Sequence, residues 1–150
     1  MEFKRSEYVD QEILNAPPEK LVQVLYSIVT SSIASARQCV RNGDVQGRVR
    51  HINKAFEALV QLTNGLDYSA SKEIATTYES IYAYCRKRLV DANGSASDEI
   101  LAEVAKLMQD VQDTWDVVVE RVTAERNAKF GDAEVLASEE ALSGSLDVFG

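Results

Sequence analysis

The fold is decided by residues 45–66, which read VQGRVRHINKAFEALVQLTNGL. Apolar side chains recur in this stretch at steps of three and four positions: Val45, Val49, Ile52, Phe56, Leu59, Leu62 and Leu66. That spacing places them on one face of an α-helix. Asp44, just before the stretch, is a residue type whose side-chain oxygen caps helix N-termini. We therefore predict an amphipathic helix whose apolar face packs into a core.

Three other segments show the same periodicity. We predict helices from about Pro18 to Arg41, from about Ser71 to Ala92, and from Ser97 over roughly 30 residues, a length of about 45 Å. Their apolar faces carry, in turn, Leu21, Leu25, Ile28, Ser32, Ala36 and Val40; Ile74, Tyr78, Ile81, Cys85, Leu89 and Ala92; and Leu101, Val104, Leu107 or Met108, Val111, Trp115, Val118 and Val122. Because the last helix is longer than the others, we expect its final turns to project beyond them.

The connections between these helices are short. Asn42-Gly43 and Asn93-Gly94 are predicted to end the first and third helices, because glycine readily takes the left-handed conformation that follows a helix. Strand patterns are absent from the sequence. We predict an all-α fold, an antiparallel up-down four-helix bundle that spans residues 17–130.

The two ends of the chain differ from the middle. Residues 1–16 carry scattered apolar groups before Pro17-Pro18, and we expect them to form an extended, mobile N-terminal arm. Residues 131–150 contain acidic residues and no Lys or Arg, and we expect an acidic, loosely ordered C-terminal tail. Within this tail Val135, Leu142, Leu146 and Phe149 would share one face of a helix. The tail therefore either docks in a groove of the protein, its own or a neighbour's, or stays solvated.

Composition excludes several classes of protein. The chain has 150 residues, a net charge of -8 and a pI near 4.7, so it repels nucleic-acid phosphates and anionic lipids. The one basic cluster, Arg86-Lys87-Arg88, is interpreted as the solvated C-terminal end of a helix. No apolar run reaches the length of a bilayer, and the start lacks a secretory signal. We expect a cytoplasmic protein with no nucleic-acid partner and no stable membrane insertion.

Catalytic and metal-binding patterns are missing. The single histidine, His51, has Arg48 rather than Glu three positions before it, which argues against a di-iron site. Cys39 and Cys85 form no C-x-x-C pair. Nucleophile elbows and phosphate loops are also absent. We predict no catalytic residue, no bound metal and no cofactor, and hence a binding protein rather than an enzyme.

Apolar side chains beyond the four faces suggest a binding surface. Either a broad core absorbs them, or they line a groove for an amphipathic partner helix. Together with the apolar residues of the N-terminal arm, they form the candidate partner-binding set: Tyr8, Ile13, Leu14, Val22, Val29, Ile33, Tyr82, Val117 and Val119.

The order of several short motifs resembles a known family. The motifs are APPEKLV at 16–22 with Leu25-Tyr26, NKAF at 53–56, Leu62 through Leu66-Asp67, EIA at 73–75, IYAY at 81–84 with Arg88-Leu89 and Ala92-Asn93, and Glu103-Val104 with Trp115. In this order and spacing they resemble FliS, the flagellin-specific flagellar export chaperones. Two positions depart from the family pattern: Pro17 stands where a serine is usual, and Ser71-Lys72 stand where a glycine pair is usual.

The resemblance implies a function. Such a protein would be a cytoplasmic type III export chaperone that binds the disordered C-terminal segment of flagellin, prevents premature polymerisation and supports delivery to the export gate. It would need neither cofactor nor ATP, and its partners would be flagellin, an export-gate component and, as a further candidate, a second copy of itself. The alternative is a non-enzymatic helical adaptor that binds another amphipathic helix or itself.

Overall fold

A computed structural model describes the backbone of residues 16–149 and the side chains of residues 16–140. It contains α1 (Pro18–Asn42), α2 (Val45–Asn64), α3 (Lys72–Ser95) and α4 (Asp98–Phe149), with no strand among the described residues. The predicted all-α four-helix bundle is confirmed. Tyr8, Ile13 and Leu14 of the N-terminal arm lie outside the described residues.

Side-chain caps begin three of the helices, and the cap predicted at Asp44 is confirmed. Asp44 Oδ1 accepts a hydrogen bond from the Gly47 N–H at 2.9 Å, and Ser71 Oγ accepts one from Ile74 at 3.3 Å. Ser97 Oγ accepts the Ile100 N–H at 3.2 Å. Each bond satisfies an amide that has no partner within its own helix.

The end of α1 also follows the prediction. Gly43 adopts the left-handed conformation at φ 70°, and the Asp44 N–H reaches back to the Cys39 carbonyl at 2.9 Å. The predicted stop of α3 at Asn93-Gly94 is wrong, since this helix continues to Ser95. Its left-handed residue is Ala96 at φ 51°. Continuing the helix keeps Ala92 fully buried and leaves Asn93 within reach of Arg48 on α2.

Cross-helix contacts define the antiparallel order. Going along α1, Glu19, Thr30 and Arg37 contact residues of α4 that come progressively earlier in the chain: Trp115, Gln112 and Asp98. Between α2 and α3, Thr63 pairs with Arg86 and Arg48 pairs with Asn93. Neighbouring helices therefore run in opposite directions, as an up-down bundle requires.

The core is built from large residues alternating with alanines. Fully buried side chains include Tyr26, Val29, Ile33, Ile52, Leu59, Tyr82, Leu89, Leu101, Val104 and Met108, together with Ala36, Ala55, Ala58 and Ala92. The predicted core face of α1 is wrong in part, because Leu21, Leu25 and Ile28 are only half-buried. Two members of other predicted faces, Val45 and Ile74, are exposed.

Helix α4 is 52 residues long, so the prediction that it ends near Phe130 is wrong. The residues after Gly131 include several strong helix formers, and a single glycine costs only about 1 kcal/mol in a helix. The chain divides into two compact units, residues 1–115 and 116–150. Within the second unit every side chain from Ala124 to Glu140 is exposed. The division into arm, bundle and tail at residues 17 and 131 stays a prediction.

Candidate partner-binding surfaces

An open cleft of about 380 Å³ lies between α2 and α3. Its lining is Arg48, Val49, Ile52, Asn53 and Phe56 from α2, and Val90, Asn93 and Gly94 from α3. We call it the α2–α3 cleft. Cavities of this size accept one or two large apolar side chains of a ligand.

The floor of the α2–α3 cleft is apolar and its rim is polar. Ile52 is buried at the base, Phe56 and Val49 are half-buried, and Val90 is 59% exposed. The Arg48 guanidinium donates to Asn93 Oδ1 at 3.3 Å across one end of the cleft. An apolar side chain that entered the cleft would lose water contact, while the amides of Asn53 and Asn93 could hydrogen-bond to its backbone.

The side chains in and near the cleft differ in burial. Ala55 and Ala58 of α2 and Ala92 of α3 are buried to within 3% exposure. Phe56 and Val49 are half-buried, and Val90 is exposed. The sequence prediction placed Val49 and Phe56 in the core, whereas the structure places them at this half-exposed edge.

The basic cluster lies beside the cleft and is largely engaged within the chain. Arg86 donates to Thr63 Oγ1 at 2.6 Å, and Arg88 pairs with Glu103 at 3.0 Å and with Asp91 at 3.3 Å. The interpretation of this cluster as a solvated helix end is therefore wrong in part. It lies within α3, and Lys87 alone of the three has an exposed side chain.

The second feature is an aromatic cluster near the start of α1. The hydroxyls of Tyr26 and Tyr82 are 2.5 Å apart, and the Tyr26 ring meets Trp115 edge-on at 6.3 Å between centroids. Trp115 Nε1 donates to the Glu19 carbonyl at 2.9 Å, which ties the first turn of α1 to α4. Burial raises the pKa of Tyr82 to about 12 and raises that of Tyr26 as well, so both stay neutral and available as hydrogen-bond partners.

The predicted partner-binding residues divide into groups. Val29, Ile33 and Tyr82 are no more than 2% exposed and pack in the core, so a partner reaches them only if the bundle opens. Val22 is half-buried against that core, Val119 is 4% exposed, and Val117 is 49% exposed. Val22, Val29, Ile33 and Tyr82 are not among the residues that line the α2–α3 cleft.

Sequence reasoning missed the residues of the α2–α3 cleft. Val90 falls outside the predicted apolar face of α3, and this isolated valine on a charged surface was the available signal. Val49 and Phe56 gave no such signal, because their spacing fits a core face equally well.

Reactive chemistry has no support among residues 16–140. No group of three or more His, Cys, Asp or Glu side chains there could hold a metal ion. Burial raises the pKa of Cys85 to about 11, which keeps it a thiol, and the pKa of Cys39 is raised as well, by desolvation and then by Asp44. In the described part of the chain, every helix is too short or too polar to cross a membrane.

Comparison with known proteins gives one consistent family. The model of the family described as "Flagellar protein FliS" matches residues 1–122. The chain is 29% identical over 108 residues to the flagellar secretion chaperone FliS of Salmonella typhimurium, a match covering 71% of this chain and 80% of that protein. It is 29% identical over 108 residues to FliSB of Pseudomonas aeruginosa, covering 72% and 86%. With FliS of Bacillus subtilis it shares 26% identity over 126 residues, covering 84% and 93%.

Proposed function

Because this chain belongs to the FliS family of flagellar secretion chaperones, we propose that it binds the disordered C-terminal segment of flagellin in the cytoplasm. Binding would prevent premature polymerisation and keep flagellin ready for delivery to the export gate. The observation that carries this proposal is the α2–α3 cleft, an open cleft with an apolar floor and a polar rim.

The cleft suits a segment that folds as it binds. Val45, 58% exposed, lies one turn before Val49 on the same face of α2, so apolar surface continues beyond the cleft along the helix. A client helix with apolar residues at positions i, i+3 or i+4 and i+7 could place one anchor in the cleft and the next against Val45. The bundle provides a preformed surface, and the client segment becomes ordered as it binds.

Ordering of the client limits the affinity. A disordered segment loses conformational entropy as it folds, which offsets part of the free energy gained from burying apolar area. The complex therefore dissociates more readily than its contact area suggests. Release at the export gate then needs no nucleotide hydrolysis by the chaperone, and we assign it no cofactor and no enzymatic activity.

The N-terminal arm is assigned a covering role in this proposal. Tyr8, Ile13 and Leu14 precede Pro17-Pro18, and the adjoining first turn of α1 is fixed by the bond from Trp115 to Glu19. A short apolar arm on a fixed base can cover part of a client or contact the export gate. Val22 and Val117 keep exposed area and remain candidate contacts, whereas we no longer assign Val29, Ile33 and Tyr82 to direct client contact.

The experiment compares two exposed residues of α3 in calorimetric titrations with the last ~40 residues of flagellin. Val90 lies in the cleft and Ile74 lies outside it, and both are 59% exposed, so neither substitution removes a core contact. Val90→Asp should weaken binding at least about tenfold, because it places a carboxylate on the apolar cleft wall. Ile74→Asp should leave the affinity unchanged.

The outcomes separate the site from the function. Equal affinities for the two variants would show that flagellin binds elsewhere on the bundle. If the wild-type chain shows no binding and its deletion leaves flagellin secretion intact, the chaperone assignment fails. The alternative, an adaptor for another helical partner, would then stand in its place.

A further inference from the structure

One arginine lies among the apolar and amide side chains of the α2–α3 cleft. Arg48 is half-buried, and it contributes the only positive charge among the residues that line the cleft. Its Nε donates to Asn93 Oδ1 at 3.3 Å, a bond that joins α2 to α3 across one end of the cleft. This bond holds the guanidinium group at that end, so the charge has a defined place beside the apolar floor.

Within residues 16–140, no carboxylate pairs with this charge. The salt bridges of this part of the chain involve Arg37 and Arg88 and leave Arg48 out. Asp44 lies four positions before Arg48, but its Oδ1 accepts the Gly47 N–H and caps α2 instead. The guanidinium of Arg48 makes its hydrogen bond to the described residues through Nε, so Nη1 and Nη2 stay available to a ligand.

A client that covers the cleft changes the environment of this charge. The half-buried guanidinium of Arg48 still contacts water, and a client laid over the cleft removes part of that water. Removing water from a charged group is costly unless an opposite charge replaces it. A carboxylate fits best, because the two terminal amino groups can donate to its two oxygens in parallel. A client without one leaves the charge unpaired and binds less tightly, so the cleft discriminates between clients.

The position of Arg48 determines where the carboxylate of the client must lie. Arg48 and Ile52 are four residues apart on α2, about one helical turn. Ile52 is buried at the base of the cleft, where an apolar side chain of the client would end. A client helix that places an apolar residue over Ile52 therefore brings the residue three or four positions away next to Arg48.

We propose that Arg48 is a specificity-determining residue of the α2–α3 cleft. It selects client segments that carry an aspartate or glutamate one helical turn from the apolar residue seated over Ile52. The carboxylate pairs with Nη1 and Nη2, while Nε keeps its bond to Asn93. This inference rests on the proposed function, because the client is the flagellin segment assigned to the cleft. It adds the chemistry that this segment must offer there.

Calorimetric titration with the last ~40 residues of flagellin tests the role of Arg48. Arg48→Gln removes the charge and keeps an amide that can donate to Asn93, and it should weaken binding at least about tenfold. The matched control is Arg50→Gln, which removes the same charge from an exposed position of α2 outside the cleft lining. It should change the affinity less than about twofold at physiological salt, because exposed charges are screened.

A double-mutant cycle identifies the carboxylate. Each aspartate and glutamate of the flagellin segment is changed singly to its amide, and every variant segment is titrated into both the wild-type and the Arg48→Gln chain. One change should weaken binding to the wild-type chain at least about tenfold and have little effect on Arg48→Gln, where the pair is already broken. The other changes should affect both chains equally. A loss of stability in the variant chain would not produce this coupling.

Three results would overturn the proposal. Arg48→Gln could bind the segment as tightly as the wild-type chain, or no side-chain carboxylate of the segment could couple to Arg48. The third result concerns the chain end of the segment. Amidation of its terminal carboxylate should leave the affinity unchanged, and coupling of Arg48 to this group instead of a side chain would contradict the proposed selection.

The Val90→Asp variant separates failure of this inference from failure of the proposed function. If Val90→Asp weakens binding and Arg48→Gln does not, the cleft remains the client site and only the selection by Arg48 is overturned. If neither variant weakens binding, or the wild-type chain does not bind the segment, the assignment of flagellin to the cleft fails together with the selection.

Discussion

The two parts of α4 share a helix but not an environment. In residues 98–115, Leu101, Val104 and Met108 are 0% exposed, whereas every side chain in residues 124–140 is exposed, Phe130 at 70% and Leu136 at 60%. Packing holds the first part in place, while the second part relies on good helix-forming residues. The sequence pattern therefore predicts that a helix forms. Whether its side chains are buried depends on which other elements pack against the helix.

The largest expected effect on stability comes from replacing one leucine in each part by alanine. Leu101→Ala should lower the free energy of unfolding by about 3 kcal/mol, because it opens a cavity in the core. Leu136→Ala should change it by less than about 0.5 kcal/mol, since the side chain is already in water. Urea denaturation measures both. Equal losses would show that Leu136 is packed in the folded protein and that the contrast between the two parts does not hold.

Alkaline pH should destabilise the bundle through its two buried tyrosines, Tyr26 and Tyr82. Burial raises the pKa of Tyr82 from 10 to about 12, and that of Tyr26 is raised too. Below pH 10 both tyrosines are neutral in the folded and the unfolded chain. Between pH 10 and 12 the unfolded chain releases protons that the folded chain keeps, so stability falls by about 1.4 kcal/mol per pH unit for each tyrosine.

A double variant checks this origin. Tyr26→Phe with Tyr82→Phe keeps the two rings and removes both buried hydroxyls, so its stability should fall less steeply above pH 10. The slope that remains up to about pH 11 comes from Cys85, because burial raises the pKa of its thiol to about 11. Thermal melts at several pH values between 9 and 12 provide the measurement. An unchanged pH dependence in the double variant would place the titrating groups elsewhere.

The smallest expected effects come from two helical glycines with open space around them. An added methyl group would meet nothing within 4 Å at Gly94 in α3 or at Gly131 in α4. Gly94→Ala should stabilise the bundle by up to about 1 kcal/mol through helix propensity. Gly131→Ala should raise the helical circular dichroism signal and leave the urea midpoint in place. A shift of that midpoint would couple the distal segment to the bundle.

Local rules in the sequence were enough for most of the fold. Asp44, Ser71 and Ser97 cap helices through single hydrogen bonds, and Gly43 ends α1, so these features depend on a few neighbouring residues. The end of α3 was missed by three residues, since the helix runs past Ala92 to Ser95 and Asn93, one of the predicted stop residues, accepts a hydrogen bond from Arg48.

The candidate site was less accessible from the sequence. Patterns of apolar residues do not distinguish a core position from the edge of a cleft, and the difference depends on the distance between helices. Phe56 fits the predicted core face of α2, yet it is half-buried and lines the α2–α3 cleft. In α1 the deepest positions are Tyr26, Val29 and Ile33, and the last two had been assigned to partner binding.

Amide chemical-shift mapping tests the central claim most directly. The full chain, at a concentration where it is monomeric, is titrated with the C-terminal segment of flagellin. The account predicts that the largest shifts occur at Val49, Phe56, Val90 and Asn93 around the α2–α3 cleft, with little change at Ile74. Unchanged amide chemical shifts at these four residues, with or without changes elsewhere, would contradict the account.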